Sequence, residues 1–262
     1  MRALRRLFLR VMLIAHRRVT AEQYLTNSQS IASLIDHTLL KPEATESDIV
    51  QLCQQAREYS FKTVCVNPYW VDVARRKLSD SSVLVCTVIG FPLGANLSEV
   101  KLSEARLALD QGAAELDMVQ NAGALRSGDS AFVQAEIAAL ARVAHAGGAI
   151  LKVILETSVL SDDEKVAACR LAVEAGADFV KTSTGFSAAG ATESDVRLMR
   201  ATVGPSIGVK ASGGVRTLDA LRRVVEAGAN RIGTSSGVQI IRDATQPRKP
   251  GAEVSAGRPD SY

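Results

Sequence analysis

The sequence predicts an α/β fold, a single-domain (β/α)₈ TIM barrel. Eight short apolar runs alternate with segments of helical periodicity between residues 29 and 242. A phrase that joins a helix end to a strand recurs three times, and no change in composition marks a second domain. Regular alternation of strand and helix over roughly 210 residues is typical of this barrel.

The recurring phrase lies at residues 110–119, 174–182 and 226–234. Each copy has an acidic residue, then Gly-Ala, then a short apolar run. Glycine suits the left-handed position after a helix, and a continuous apolar run suits a buried parallel strand. Helices are therefore predicted at 97–110, 162–174 and 218–226, with Ser98 and Thr217 as N-caps of the first and last.

Apolar runs define the predicted strands. They lie at residues 34–38, 63–67, 83–89, 114–118, 150–156, 179–182, 207–211 and 231–233. A doubly wound open sheet is the alternative. That fold usually has a G-x-G-x-x-G motif after its first strand, and no such motif follows the first apolar run here.

Both ends differ from this central domain. Residues 1–28 form a basic extension: six arginines and no acid occur in the first twenty residues. Transit peptides and surface-bound amphipathic helices share that composition, and an inert extension explains it equally. Residues 243–262 hold three of the seven prolines, so we expect a flexible tail.

Composition excludes several functions. The net charge is +3, and subtracting the six N-terminal arginines leaves −3 for residues 21–262, which argues against nucleic-acid binding. The apolar run at 7–15 is interrupted by Arg10 and is shorter than the ~20 residues of a membrane span. Four cysteines without C-x-x-C spacing indicate reduced thiols, a cytoplasmic location and no zinc site.

Three of the nine lysines lie in predicted strands: Lys152, Lys181 and Lys210. Lys181 and Lys210 are expected roughly 4.8 Å apart on neighbouring strands, with Asp117 facing the same cavity. Like charges in one cavity lower each other's pKa, and a lysine activated in this way forms a Schiff base with a carbonyl. The alternative is an ion network that only fills the barrel, although such networks seldom stabilise a fold.

Other polar residues mark the ends of strands, where such barrels carry their chemistry. Asp36 and His37 end the first strand, while Glu115 and Glu156 lie in the fourth and fifth. Glycine-rich turns follow the last three strands, and the last two are the usual phosphate site of this fold. The plainer explanation is that short turns favour Gly and Ser.

Residues 31–240 resemble the class I deoxyribose-phosphate aldolase family. The blocks that carry the resemblance are IDHTLLKP (35–42), TVCVNP (63–68), VIGFPLG (88–94), ELDMV (115–119), LKVILET (151–157), FVKTSTG (179–185) and VKASGGVRT (209–217). The resemblance implies reversible cleavage of 2-deoxy-D-ribose 5-phosphate to acetaldehyde and D-glyceraldehyde 3-phosphate, with no metal or organic cofactor.

The same resemblance implies roles for individual residues. Lys181 is the expected Schiff-base nucleophile, Lys210 the lysine that tunes it and Asp117 the proton-transfer carboxylate. Pocket and phosphate residues are expected to be Asp36, Cys65, Lys152, Gly185, Gly213, Gly214, Gly233, Ser235 and Ser236. Phe186 stands where some relatives carry a basic residue, so we expect backbone donors, with Arg216 as a candidate helper, to hold the phosphate.

Three questions remain open at this point. Another Schiff-base enzyme such as a transaldolase, or a non-catalytic barrel that binds a sugar phosphate, fits the same residues. The chain is compatible with a homodimer. Tyr262 ends a tail long enough to span about 25 Å as a coil, so we expect it to reach the barrel mouth and assist proton transfer; an inert tail is the alternative.

Overall fold

The structure is a computed structural model that describes residues 25–245. Eight parallel strands close into a barrel in chain order, β1 to β8, and β1 pairs with both β2 and β8. Closure therefore confirms the barrel and rules out the open sheet. The strands are β1 Ile35–Leu39, β2 Thr63–Val66, β3 Leu84–Ile89, β4 Glu115–Val119, β5 Ile150–Ile154, β6 Phe179–Lys181, β7 Gly208–Ser212 and β8 Arg231–Thr234.

Helices surround the barrel. They are α1 Ser28–Ala32, α2 Glu46–Glu58, α3 Val71–Lys77, α4 Ser98–Asp110, α5 Ala122–Arg126, α6 Ser130–Ala146, α7 Asp162–Glu174, α8 Glu193–Val203, α9 Leu218–Glu226 and α10 Gly237–Thr245. Two 3₁₀ turns, Pro68–Trp70 and Thr157–Val159, follow β2 and β5. In the part of the chain that the structure describes, no helix has the length and apolar character to cross a membrane.

Local sequence explains where these helices begin and end. The Thr217 side chain accepts a hydrogen bond from Ala220 N and caps α9, as predicted. Ser98 is not a cap: it is the first residue of α4, and its hydroxyl donates to Glu136 instead. The three glycines of the recurring phrase have φ values of 103°, 86° and 117°, which confirms left-handed helix ends.

Alternation along each strand separates an apolar layer from a polar one. In β4, Leu116 and Met118 pack in the core between strands and helices, whereas Glu115 and Asp117 do not belong to it. The same alternation sets Lys152 apart from its apolar neighbours Leu151 and Val153 in β5. Because side chains of a strand point to opposite faces in turn, the charged residues collect inside the barrel.

Several predictions concern residues outside the described part of the chain. Residues 1–24 of the basic extension and residues 246–262 of the tail belong to this group, and so does Tyr262. Its role as a proton relay stays a prediction.

Candidate active site

Seven charged side chains from six strands meet inside the barrel, and we call them the ion cluster. They are Lys152, Lys181, Lys210 and Arg231 with Asp36, Glu115 and Asp117. None of these residues is more than 3% exposed. Four cations face three carboxylates, so the fully ionised cluster has one positive charge in excess.

Asp117 lies at the centre of the cluster. Its Oδ1 is 2.7 Å from Lys152 Nζ, and its Oδ2 is 2.8 Å from Lys210 Nζ and 3.0 Å from Lys181 Nζ. Burial alone would raise the pKa of Asp117, but the three ammonium groups outweigh burial and hold that pKa well below its usual value. Asp117 is therefore a carboxylate that stays ionised.

The three lysines differ in how firmly carboxylates hold them. Lys152 Nζ lies 2.6 Å from Glu115 as well as near Asp117, and Lys210 Nζ lies 2.5 Å from Asp36 as well as near Asp117. Lys181, by contrast, has Asp117 as its one carboxylate partner among residues 25–245. Lys181 is thus the least restrained of the three.

The expected placement of Lys181 and Lys210 on neighbouring strands is confirmed, because the two residues are paired in register on β6 and β7. The expected effect on Lys210 is wrong. Burial would lower the pKa of Lys210, but the carboxylates of Asp117 and Asp36 raise it above its ordinary value. The sequence argument counted the neighbouring cation and omitted the second carboxylate.

Arg231 was not recognised from the sequence. Its Nε donates to Asp36 Oδ1 at 2.6 Å, its Nη2 donates to Glu115, and its guanidinium lies 5.6 Å from the Phe179 ring centroid. A signal was present, since an arginine as the first residue of a predicted buried strand is as unusual as a lysine there.

Cys65 also lies in the barrel, next to Cys86 on the neighbouring strand. The Cys86 thiol donates to Asp117 Oδ1 at 3.2 Å. Hydrogen bonding with Cys86 lowers the pKa of Cys65 although burial opposes it, whereas burial raises the pKa of Cys86 well above its usual value. Sulfur and carboxylate atoms of this trio lie within 4.8 Å of one another, but lysines already contact Asp117, so we assign no metal there.

The three predicted glycine-rich turns contact one another. Thr182 Oγ1 donates to Ser212 O at 3.0 Å, and Thr234 Oγ1 donates to Val215 O at 2.6 Å, which ties the turns after β6, β7 and β8 together. A Cβ on Gly213 would lie 2.8 Å from Gly190 Cα and 3.7 Å from Gly185 Cα. Only glycine allows the backbones to approach so closely there.

Other predicted phosphate residues lie along the same rim. Gly214 follows Gly213, and a Cβ on Gly233 would lie 2.2 Å from Ser212 Oγ. Ser235 is exposed, while Ser236 N donates to Thr234 Oγ1 at the start of α10. Backbone donors before a helix N-terminus suit an anion. His37, by contrast, lies outside the cluster, where its Nε2 forms a hydrogen bond with Gln55 Oε1 on α2.

This arrangement has two chemical capacities. One lysine with a single carboxylate partner lies beside two lysines that are held firmly, so one amine is preferred as the nucleophile that attacks a carbonyl. Glycine turns at the ends of three neighbouring strands bring backbone segments close together, an arrangement typical of anion sites. A substrate with a carbonyl at one end and a phosphate at the other fits both.

Comparison with known proteins agrees with this arrangement. The family described as DeoC/LacD family aldolase matches residues 30–246. The deoxyribose-phosphate aldolase of Geobacillus sp. (strain WCH70) is 57% identical over 216 residues, covering 82% of this chain and 96% of that protein. That of Thermococcus gammatolerans is 58% identical over 216 residues, with the same coverage.

A solved structure shows the same fold. Deoxyribose phosphate aldolase from Aeropyrum pernix, described as a unique tetramer, superimposes with a TM-score of 0.80 at 37% identity, covering 85% of this chain and 94% of that one. From these matches, this chain belongs to the DeoC/LacD family of aldolases.

Proposed function

We propose that this aldolase reversibly cleaves 2-deoxy-D-ribose 5-phosphate to acetaldehyde and D-glyceraldehyde 3-phosphate through a Schiff base on Lys181. The observation that carries the choice of lysine is its contact pattern: Lys181 has one carboxylate partner, whereas Lys152 and Lys210 each have at least two. The substrate is that of the relatives whose names are given above.

The proposed reaction starts when Lys181 Nζ attacks the C1 aldehyde and water leaves, which forms a protonated imine. The imine draws in the electron pair of the C2–C3 bond as that bond breaks, while the C3 hydroxyl loses its proton to a water held by Asp117. Glyceraldehyde 3-phosphate departs, and an enamine of acetaldehyde remains. Protonation at C2 and hydrolysis then release acetaldehyde and restore the amine.

In this proposal Lys210 has an electrostatic task. Its raised pKa keeps it protonated at neutral pH, so it presents a fixed positive charge on the other side of Asp117 Oδ2. Lys152 similarly holds Asp117 Oδ1, with Asp36 and Cys65 as further residues of the pocket. The phosphate is assigned to the rim of Gly185, Gly213, Gly214, Gly233, Ser235 and Ser236.

Borohydride trapping tests the nucleophile. We expect wild-type protein treated with deoxyribose 5-phosphate and borohydride to gain the mass of one reduced adduct, mapped by peptide analysis to Lys181. Lys181→Ala should lose both adduct and turnover, whereas the exposed-lysine control Lys41→Ala should keep both. An adduct on Lys152 or Lys210 contradicts the assignment.

The same experiment separates the competing functions. A barrel that only binds sugar phosphates leaves no covalent adduct. A transaldolase-like enzyme forms an adduct with a longer ketose phosphate but does not use acetaldehyde as a donor. Cleavage that yields acetaldehyde is expected from the function proposed here.

The proposal also covers domain organisation, cellular location and oligomeric state. We expect a single catalytic domain over residues 29–242, a cytoplasmic location and a homodimer. Sedimentation of the full chain measures its oligomeric state, and a monomer would contradict the last of these expectations.

A further inference from the structure

Glu156 is a buried acid at the catalytic end of the barrel that has no role in the chemistry described above. It lies two residues beyond β5, is 7% exposed and has φ 57° and ψ 65°. L residues other than Asn and Asp rarely adopt this left-handed conformation, whereas glycine adopts it readily. Its Oε1 is buried without a hydrogen-bond partner among the described residues. Both features cost stability, and such costs cluster at functional sites.

The other carboxylate oxygen holds the turn that follows Lys181. Glu156 Oε2 accepts hydrogen bonds from Thr184 Oγ1 at 2.5 Å and from Thr184 N at 3.2 Å. Thr184 Oγ1 in turn accepts one from Phe186 N at 3.1 Å. The Glu156 side chain therefore organises both sides of Gly185.

These bonds begin where backbone pairing stops. Just beyond β5, the last backbone hydrogen bonds to the β6 segment run from Leu155 N to Lys181 O, at 2.9 Å, and from Thr157 N to Thr182 O, at 3.0 Å. Beyond Thr182, hydrogen bonds from Thr184 to the Glu156 side chain take the place of backbone pairing. β6 is only three residues long, so the turn depends on such additional links.

The turn held by Glu156 is in close contact with the next turn. Gly213, whose backbone leaves room for only a hydrogen, lies against Gly190, Ser183 and Gly185. A displaced Thr182–Gly185 turn would separate Gly185 from Gly213. The two glycines would then no longer lie together at one place on the rim.

We propose that Glu156 is a positioning residue that fixes the turn after Lys181 so that Gly185 and Gly213 bind the substrate phosphate together. This inference rests on the proposed function, because it assigns the phosphate to that rim. Glu156 itself touches neither the phosphate nor the reacting carbon.

The test compares two sugars and one simple anion. In Glu156→Ala we expect kcat/KM for deoxyribose 5-phosphate to fall about tenfold relative to kcat/KM for deoxyribose, mainly through KM. The dissociation constant of inorganic phosphate, measured by calorimetry, should rise by a similar factor. Glu156→Gln keeps an oxygen acceptor for Thr184 and should restore the wild-type ratio. Glu99→Ala on α4 is the matched control for loss of a carboxylate.

Variants of Thr184 remove the donor of the same hydrogen bond, so the test remains decisive if Glu156→Ala does not fold. Thr184→Val should reproduce the loss of discrimination, whereas Thr184→Ser, which keeps the hydroxyl, should not. Equal losses for both sugars, or unchanged phosphate binding in folded Glu156→Ala or Thr184→Val, would overturn the inference. Absence of a borohydride adduct in the wild type would instead contradict the proposed function, and phosphate calorimetry would still test Glu156.

Discussion

At the scale of single residues, neighbours decide what each lysine of the barrel can do. Lys152, Lys181 and Lys210 share one carboxylate, yet only Lys181 lacks a second one among the described residues. A buried ammonium group that contacts two carboxylates is stabilised in its charged form, whereas a nucleophile must give up its proton. The same residue type therefore serves as fixed charge at two positions and as proposed nucleophile at the third.

Phe186 offers a prediction at this scale. Its ring is 38% exposed and packs edge-on against Phe91 at 5.3 Å, directly after the turn assigned to the phosphate. Phe186→Lys places a cation beside that turn. We expect KM for deoxyribose 5-phosphate to fall about fivefold, equivalent to roughly 1 kcal/mol, while KM for deoxyribose changes little. Steady-state kinetics at low and high salt measure the effect, which salt should weaken.

Phe132 provides the control, because its ring on α6 is 37% exposed. Phe132→Lys adds the same charge away from the turns and should leave both KM values unchanged. If Phe186→Lys alters the two sugars equally, the lost packing on Phe91 explains the result and the phosphate assignment is contradicted.

At the scale of elements, two helices hold the ends of two strands through a buried ion pair. Lys101 of α4 lies 2.8 Å from Glu136 of α6 and donates to Val119 O at the end of β4 at 2.9 Å. Glu104, also on α4, accepts from Gly90 N after β3 at 2.7 Å. The ends of β3 and of β4, the strand that carries Asp117, are thus attached to one helix.

Lys101→Met should destabilise the fold by about 3–5 kcal/mol, since it leaves Glu136 buried with Ser98 as its only side-chain donor within residues 25–245. Lys101→Met with Glu136→Gln removes both charges and should recover much of that loss. Urea unfolding measures both. Equal stability of the single and double variants would show that unpaired charge is not the cause.

At the scale of the whole molecule, the ion cluster predicts how stability depends on pH. The pKa values of Asp36 and Asp117 are lowered, so their contribution is present above the unfolded value near 3.9 and is lost as pH falls through the folded values. The pKa values of Lys152 and Lys210 are raised, so their contribution is full below about 10.4 and is lost as pH rises through the folded values.

We therefore expect the cluster's contribution to the free energy of unfolding to be level from about pH 5 to pH 9 and to decline below about pH 4. Asp117→Asn should make the decline of the unfolding free energy in acid less steep, whereas Asp110→Asn, at an exposed position, should not. Urea unfolding at a series of pH values gives these slopes. An acid decline of unchanged steepness in Asp117→Asn would contradict the role of this carboxylate.

Patterns within short windows were enough to determine the barrel and much of the cluster. Alternation of apolar runs and helices predicts the eight strands, because burial on both faces requires apolar residues in each strand. Lys181, Lys210 and Asp117 are conspicuous for the opposite reason, as charges inside those runs. Lys181 and Lys210 come together once β6 and β7 are neighbours, because parallel strands bring residues at equal height together. Asp117 on β4 meets them across the interior of the barrel.

Only the tertiary structure decided which charges neutralise one another. Arg231 meets Asp36 across 195 positions of the chain, at the seam where β8 closes on β1, and Glu156 meets Thr184 across 28. The direction of the Lys210 pKa shift also depends on closure, because Asp36 on β1 comes within reach of β7 only when β1 pairs with β8. Coulomb energies vary with distances of a few ångströms, and those distances exist only after the barrel has closed.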